Sequence, residues 1–272
     1  MDLAHLNDRG LVLVGCGRMG GALLGGWLAR GLAPKAVHVI DPHVPAWVAA
    51  RGVSVEGPGP ADPAVIVLAV KPQMMGGVLP GLAQAGGADR LVLSVAAGVT
   101  LAAYGRAFPG APVVRAMPNT PAAIGQGITA LVGNEHAGAA ALDMAESLMA
   151  AVGCVVRLAD ESQMDAVTAV SGSGPAYVFH LIETMAKAGE AQGLPAALSL
   201  ELARMTVAGA GALAIDADED PAVLRQNVTS PGGTTAAGLA VLMDPETGLP
   251  PLMARTVAAA TERGRELGKA AQ

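Results

Sequence analysis

The first residues in this chain whose types and spacing could do chemistry are Gly15-Cys16-Gly17-Arg18-Met19-Gly20, directly after the apolar run Leu11-Val12-Leu13-Val14. A Gly-x-Gly-x-x-Gly pattern says little alone in a chain with 36 glycines. Between a strand and the start of a helix it says more. There the first glycine permits a tight turn, the second lets backbone approach a pyrophosphate, and the third lets the helix lie close to the sheet. Asp41 ends the next apolar run, Val37 to Ile40, about 20 residues on, where an acid grips a ribose 2′-hydroxyl. Its charge would repel a 2′-phosphate, so this spacing favours NADH over NADPH, with His43 and Arg51 near enough in sequence to moderate the preference. The plainer alternative is a ligand-free strand–helix turn.

Other reactive side chains carry less. Cys16 stands where a helix N-terminus lowers thiol pKa values, yet a small residue that fits the variable loop position is the better explanation. Lys71, in Ala69-Val70-Lys71-Pro72-Gln73, lies at the C-terminal edge of a strand, where ligands bind in such sheets. It reads as a neighbour of the cofactor or as a solvated lysine, and less as a proton donor. Farther on, Ser230-Pro231-Gly232-Gly233-Thr234-Thr235 precedes a helical stretch from Ala236. Backbone N–H groups of such a turn suit a carboxylate, and the two Thr hydroxyls donate and accept. On spacing alone a helix cap is the commoner use of these Thr. Ser171-Gly172-Ser173-Gly174-Pro175 offers similar chemistry, with Pro175 suited to a first helical position. None of the five His is placed to pair with Ser or Cys, and His180 sits in an apolar stretch. A nucleotide loop, a carboxylate pocket and hydroxyls without a strong acid–base pair fit hydride transfer to a substrate that is already electrophilic.

These residues must be positioned by two kinds of element. Apolar runs at Leu11 to Val14, Val37 to Ile40, Val65 to Val70, Leu91 to Val95, Pro112 to Ala116, Ile128 to Val132 and Cys154 to Leu158 predict a parallel sheet covered by helices on both faces. The expected architecture is α/β, a doubly wound Rossmann-type sheet over residues 1-160. Past Asp160-Glu161-Ser162-Gln163 only Ala-, Leu- and Met-rich helical stretches follow: Met164 to Val170, Ala176 to Gln192, Leu198 to Ile215, Ala236 to Met243 and Leu252 to Leu267. Residues 161-272 therefore read as an all-helical second domain. In it Ile182, Met185, Ala186 and Gly189 share one helical face, and Ala208 to Ala212 are small enough for close helix approach. So apolar a domain is expected to bury surface in an oligomer.

Composition narrows the classes. The 272 residues are 52% hydrophobic and 15% charged, with a net charge of −6 and 2% aromatics. No basic run and few rings argue against nucleic acid. Met205 to Ile215 reads as too short for a bilayer, and Met1-Asp2-Leu3-Ala4-His5 has no basic leader. Cys16 and Cys154 fit a reducing compartment, and no Cys or His pair suggests a metal. The expectation is a soluble cytoplasmic protein that binds a small molecule or itself, with no membrane and no nucleic acid.

The series Gly15 to Gly20, Ala69-Val70-Lys71-Pro72-Gln73, Ala116-Met117-Pro118-Asn119-Thr120-Pro121, Ser171-Gly172-Ser173-Gly174-Pro175-Ala176-Tyr177 and Asn227-Val228-Thr229-Ser230-Pro231-Gly232-Gly233-Thr234-Thr235 resembles the pyrroline-5-carboxylate reductase family, in order over nearly the whole chain. Thr261-Glu262-Arg263-Gly264-Arg265-Glu266-Leu267 is similar to that family's closing helix. The resemblance implies NAD(P)H-dependent reduction of 1-pyrroline-5-carboxylate to L-proline, the last step of proline biosynthesis. It also implies a helical dimerisation domain, with a homodimer or a higher homo-oligomer such as a decamer. Carried onto this chain, Val14, Gly15, Cys16, Gly17, Arg18, Met19 and Gly20 would cradle the pyrophosphate. Ala69, Val70, Lys71, Pro72, Ala97, Met117 and Asn119 would border the nicotinamide. Gly232, Gly233 and Thr234 would hold the substrate carboxylate, with Asn227 beside them, and Thr235 would hydrogen-bond the ring nitrogen. Thr168 and Ser173 would shape the pocket.

Two departures stand out. An Asn that contacts the adenosine side in the family has no counterpart in the Gly/Pro-rich Val53 to Pro60. The family's Leu-Glu-x-x-Gly turn is replaced by Leu242-Met243-Asp244-Pro245-Glu246-Thr247-Gly248. A β-hydroxyacid dehydrogenase has the same two-domain plan but needs a Lys soon after the Gly-rich loop, and here none comes before Lys187. A non-catalytic nucleotide sensor would not need Asn227, Ser173, Thr234 and Thr235, all present.

Overall fold

A computed structural model of the chain describes residues 3–82 and 87–270. Met1 and Asp2, part of the start read for a leader, lie outside the described residues. Contacts divide the chain into two compact units: one runs to Gly172 and takes in the chain from Ala260 onward, the other spans Ser173–Ala259.

In the first unit a helix α1 (Leu3–Arg9) precedes seven strands: β1 (Leu11–Val14), β2 (Val37–Ile40), β3 (Val65–Leu68), β4 (Leu91–Ser94), β5 (Val113–Met117), β6 (Gly127–Gly133) and β7 (Gly153–Arg157). They form one sheet in the order β2-β1-β3-β4-β5-β6-β7. β1, β3 and β4 are buried along their full length, as an apolar strand covered on both faces must be. Helices α2 (Arg18–Ala29), α3 (Ala46–Ala50), α4 (Met75–Leu82), α5 (Leu101–Ala107) and α6 (Ala139–Met149) connect the strands. Leu23, Leu24 and Trp27 of α2 enter the core on one face with Leu13, Val39 and Leu148. The Trp27 indole N–H donates to the Leu148 carbonyl at 2.9 Å, so the largest side chain of that core is also satisfied. On the other face Tyr104 of α5 and Phe108, which caps its C-terminus, pack with Val12, Ile66, Val92 and Val113.

The expectation of a wholly parallel sheet needs one correction, because β6 runs antiparallel to β5. Only the short turn Thr120–Ile124 and its flanks join them, and a parallel crossover needs a dozen or more residues. β7 returns parallel to β6 after α6. The Val53 to Pro60 segment lies beside β2, through the Val39 N–H on the Ser54 carbonyl at 2.8 Å and His38 Nδ1 with Ser54 Oγ at 2.9 Å.

After β7 the chain makes α7 (Met164–Val167), which passes directly into a π-turn at Thr168–Gly172. The second unit holds α8 (Gly174–Ala191), α9 (Ala196–Asp216), α10 (Pro221–Asn227), α11 (Thr234–Leu242) and the first part of α12 (Leu249–Ala270). Among the described residues no strand follows Arg157. α8 and α9 pack as an antiparallel pair where Gly189 leaves no room for a Cβ: one there would lie 2.2 Å from Ser199 Oγ. That hydroxyl donates to the Ala186 carbonyl at 2.6 Å. Of the predicted α8 face, Ala186 is buried while Met185 remains exposed. α10 was not legible as a helix. It starts from Asp220, whose carboxylate accepts the Ala222 N–H at 2.8 Å, with Pro221 in its first turn.

The length of the apolar stretch also needs correction. α9 runs for 21 residues and is long and apolar enough to cross a membrane by length and composition. Met205 to Ile215 is the C-terminal half of this helix, whose expected extent of Leu198 to Ile215 lengthens to Ala196–Asp216 across the charged Glu201 and Arg204. In the Leu242–Gly248 turn, Asp244 Oδ1 accepts the Glu246 and Thr247 N–H groups at 2.9 and 2.6 Å and the Thr247 hydroxyl at 2.9 Å. Those bonds hold the carboxyl below its usual pKa and close the turn without the family's residues.

Candidate active site

The glycine loop is shaped by β1, β3 and α2. Gly15 takes φ +93°, and a Cβ there would lie 2.8 Å from the Ala69 carbonyl. A Cβ on Gly20 would lie 2.1 Å from the Gly15 oxygen. Packing demands both glycines. Gly17 is different: its φ is −72°, and a Cβ there meets nothing within 4 Å. No described protein atom fills the space above Gly17, so its backbone is open to a group that approaches from outside. Gly17 is also the N-cap of α2, which has no side-chain cap and no acid in its first turn. The N–H groups of Arg18, Met19 and Gly20 and the helix dipole thus offer an anion site. The loop fits a dinucleotide pyrophosphate.

Asp41 comes to this loop from β2. Its Oδ2 accepts the Cys16 N–H and its Oδ1 the His43 N–H, both at 2.7 Å. The carboxylate is therefore a structural clasp on the loop as well as an acid at its rim. Burial, with the Asp41 charge adding, pushes the Cys16 thiol up to about 11. The reactive-thiol reading of Cys16 fails for that reason: it is buried, and its surroundings penalise the thiolate.

The neighbouring strand ends lie along the same edge. Ala69 N–H donates to the Val14 carbonyl at 2.7 Å, which ties the Ala69–Pro72 segment to the glycine loop. Lys71 is exposed there and is followed by a 3-10 turn at Pro72–Met74. Ala97 is half-buried in the β4–α5 loop. Met117 ends β5, and a Cβ on Gly172 would lie 2.5 Å from its Cε, so the π-turn packs on the Met117 side chain. Asn119 Oδ1 accepts the Ile128 N–H at 3.0 Å and holds the β5–β6 turn. Thr168 opens the π-turn with its hydroxyl donated to the Met164 carbonyl at 2.8 Å, leaving its oxygen able to accept.

In the second unit the Ser230–Thr235 segment forms a turn with Gly232 at φ +69° and the Gly233 N–H on the Ser230 carbonyl at 3.0 Å. The N-cap of α11 is Gly233, and no side chain caps it. Thr234 and Thr235 are the first two helical residues and are exposed, so their hydroxyls do not serve as the cap that spacing alone favoured. Asn227 ends α10, exposed. Ser173 precedes α8 and also makes no side-chain cap. His180 is exposed and pairs with Glu183 at 3.1 Å, which in turn takes Lys187 at 2.7 Å.

Residues 161–267 match the family model described as pyrroline-5-carboxylate reductase dimerisation. Residues 11–98 match the one described as NADP oxidoreductase coenzyme F420-dependent. The pyrroline-5-carboxylate reductase of Pseudomonas aeruginosa is 39% identical over 267 residues, 95% of this chain and 97% of that relative. The chain belongs to the pyrroline-5-carboxylate reductase family. The Coxiella burnetii reductase structure superposes with a TM-score of 0.87 at 33% identity, covering 95% of this chain and 98% of that one. The Plasmodium falciparum pyrroline carboxylate reductase structure, with NADP bound, gives a TM-score of 0.83 at 27% identity over 96% and 99%. This reductase is accordingly an NAD(P)H-dependent oxidoreductase, and its reaction is the reduction of 1-pyrroline-5-carboxylate to L-proline.

Sequence reasoning missed a polar group in the reductase's first unit. Arg115, buried in β5, forms an ion pair with Glu161, and Glu161 also accepts the Leu101 N–H at 2.7 Å. Asp160-Glu161-Ser162-Gln163 was legible only as a helix start, and it does carry a capping box on Asp160 and Gln163. A charged residue inside the Pro112 to Ala116 run was the available signal.

Proposed function

We propose that this reductase performs its reaction with backbone amides and hydroxyls rather than with a side-chain acid or base. The supporting observation is the α11 N-terminus, uncapped, with Thr234 and Thr235 beside it. NAD(P)H, when bound, supplies the hydride. Val14 to Gly20 hold its pyrophosphate, and Ala69, Val70, Lys71, Pro72, Ala97, Met117 and Asn119 border the nicotinamide. Gly232, Gly233 and Thr234, with Asn227, take the substrate carboxylate on N–H donors, as a helix N-terminus favours an anion. Thr235 hydrogen-bonds the ring nitrogen and polarises it, while Thr168 and Ser173 shape the pocket. The imine takes its proton from solution near neutral pH, so the chain's task is alignment.

Asp41 leans the choice towards NADH, because its carboxylate stands at the loop rim and repels a 2′-phosphate. We read residues 1-160 as the nucleotide domain and 161-272 as the dimerisation and substrate domain, a division supported by the dimerisation model starting at residue 161. The assembly is a homodimer or, built from dimers, a decamer. α9 belongs to that assembly and not to a bilayer, and the enzyme works in the cytoplasm without nucleic acid.

The test follows oxidation of NADH and NADPH by absorbance with pyrroline-5-carboxylate, beside the six-membered imine. Turnover with the five-membered ring, faster with NADH, is expected. No turnover from protein that binds either nucleotide would overturn the reading. In Asp41→Asn, which keeps an oxygen for the Cys16 N–H, the NADH-to-NADPH ratio should fall, and an unchanged ratio would remove Asp41 from cofactor choice.

A further inference from the structure

We infer that Glu161 is a positioning residue for hydride transfer, acting through Arg115 and the Leu101 N–H to hold the two loops that border the nicotinamide. This rests on the reading above that Ala97 and the Met117–Asn119 segment form that border.

One carboxylate joins three segments far apart in sequence. Arg115 lies two residues before Met117 in β5, and its guanidinium pairs with Glu161. Leu101 opens α5 four residues after Ala97, and its N–H donates to the same Glu161 oxygen at 2.7 Å. Glu161 itself begins the turn that leads through α7 to Thr168 and to Gly172, which packs on Met117. A second polar link anchors the start of the Ala97 loop. Ser94, paired in register with Arg115 across β4 and β5, bonds the buried Tyr104 hydroxyl at 2.5 Å and takes the Ala96 N–H at 3.3 Å. The Ala97 loop is thus tied at both ends, and at its far end to β5.

Apart from the Ser94–Tyr104 hydroxyl pair, this face of the sheet is apolar, built from Val92, Val113 and Phe108. An ion pair with its Arg115 side buried and Glu161 partly solvated is a poor source of stability, since the desolvation of the guanidinium offsets much of the attraction. What it supplies is a fixed geometry between strand end and loop. The cleft that admits solvent to Glu161 is lined by Asp160, Asp165, Arg265 and Lys269, charges of both signs that select no ion. The pair serves the loops rather than a ligand of its own.

Two variants separate positioning from folding. Glu161→Gln keeps an oxygen for Leu101 but removes the charge from Arg115. Leu101→Pro deletes the N–H at a first helical position that tolerates proline, and leaves the ion pair. For each, kcat, KM, the deuterium isotope effect on kcat from deuterated nucleotide, the Kd of ADP-ribose and Tm are measured on folded enzyme. The expected result is kcat lower by about 5–30-fold, as small misplacements of reacting groups cost, with a larger isotope effect and ADP-ribose Kd unchanged. Wild-type kcat and isotope effect with only a lower Tm would overturn the inference, as would failure of both variants to fold. If one variant alone folds, it decides. A wild-type enzyme inactive on pyrroline-5-carboxylate would fail the functional reading first, whereas active wild type with unaltered variants fails only this one.

Discussion

Thr235 shows how a single hydroxyl can be read twice. By spacing it is a helix cap, and in the structure it is the second residue of α11, past an N-cap supplied by Gly233. Its oxygen is therefore available to a ligand. Thr235→Ala should lower kcat by about 10–100-fold, the loss of one polarising hydrogen bond in the transition state, with nucleotide binding unaltered in a titration. Thr235→Ser should recover most of that loss, and equal turnover in all three proteins would remove the hydroxyl from the mechanism. The cysteines invite a second measurement. Cys154 is exposed and Cys16 buried, with its thiol pushed up to about 11. Alkylation of the native protein at neutral pH, read by mass spectrometry, should modify Cys154 and leave Cys16 unmodified until the protein is denatured. Rapid native labelling of Cys16 would contradict the packing of the loop. The identity of these residues was legible in the sequence. Their availability was not, because it depends on which backbone group each side chain has already satisfied.

At the scale of elements the glycine loop divides into positions that packing demands and one that it does not. Gly20→Ala would force a Cβ to within 2.1 Å of the Gly15 oxygen, so the protein should express poorly or unfold at much lower temperature. Gly17→Ala meets no protein atom and adopts an ordinary φ. It should fold with Tm changed by only a few degrees, since an N-cap glycine-to-alanine change costs about 1 kcal/mol or less. Its affinity for NAD(P)H, followed by protein fluorescence or calorimetry, should fall at least about 10-fold, by the methyl group standing where the pyrophosphate approaches. Unchanged affinity in a folded Gly17→Ala would mean that the pyrophosphate lies elsewhere. Sequence periodicity placed all seven strands to within two residues and the long helices of the second unit to within three, because each is a largely apolar run bounded by polar or Gly/Pro residues. The short pieces escaped it. α10 is a seven-residue helix set by its Asp220 cap, and the direction of β6 follows from a connection too short to cross over.

For the whole molecule the second unit poses the question of what covers it. Phe179, Met205, Ile215 and Val241 are 63%, 67%, 88% and 73% exposed in the single chain, more large apolar surface than a lone domain ordinarily shows. All four lie inside the segment that matches the dimerisation model. Replacing Phe179 and Met205 together with Glu should shift the protein to smaller species in analytical ultracentrifugation and lower its Tm, because a desolvated charge at an interface costs several kcal/mol. A wild-type protein that sediments as a monomer would leave α9 without an explanation in self-association.

What the sequence by itself determined is local in origin: a glycine loop between strand and helix, an acid at the next strand's end, hydroxyls after a Gly-Gly turn, and runs whose period names each element. Those patterns repeat over a few residues, so they can be read without knowing what lies opposite. Only the tertiary structure decided that Asp41 clasps Cys16, that Gly17 alone of the loop glycines faces open space, and that one carboxylate joins Arg115 to Leu101. Glu161 stands 46 and 60 positions from those two partners. No local pattern encodes such a meeting. The sheet creates it when it places β4 and β5 side by side and brings the chain after β7 back across their ends.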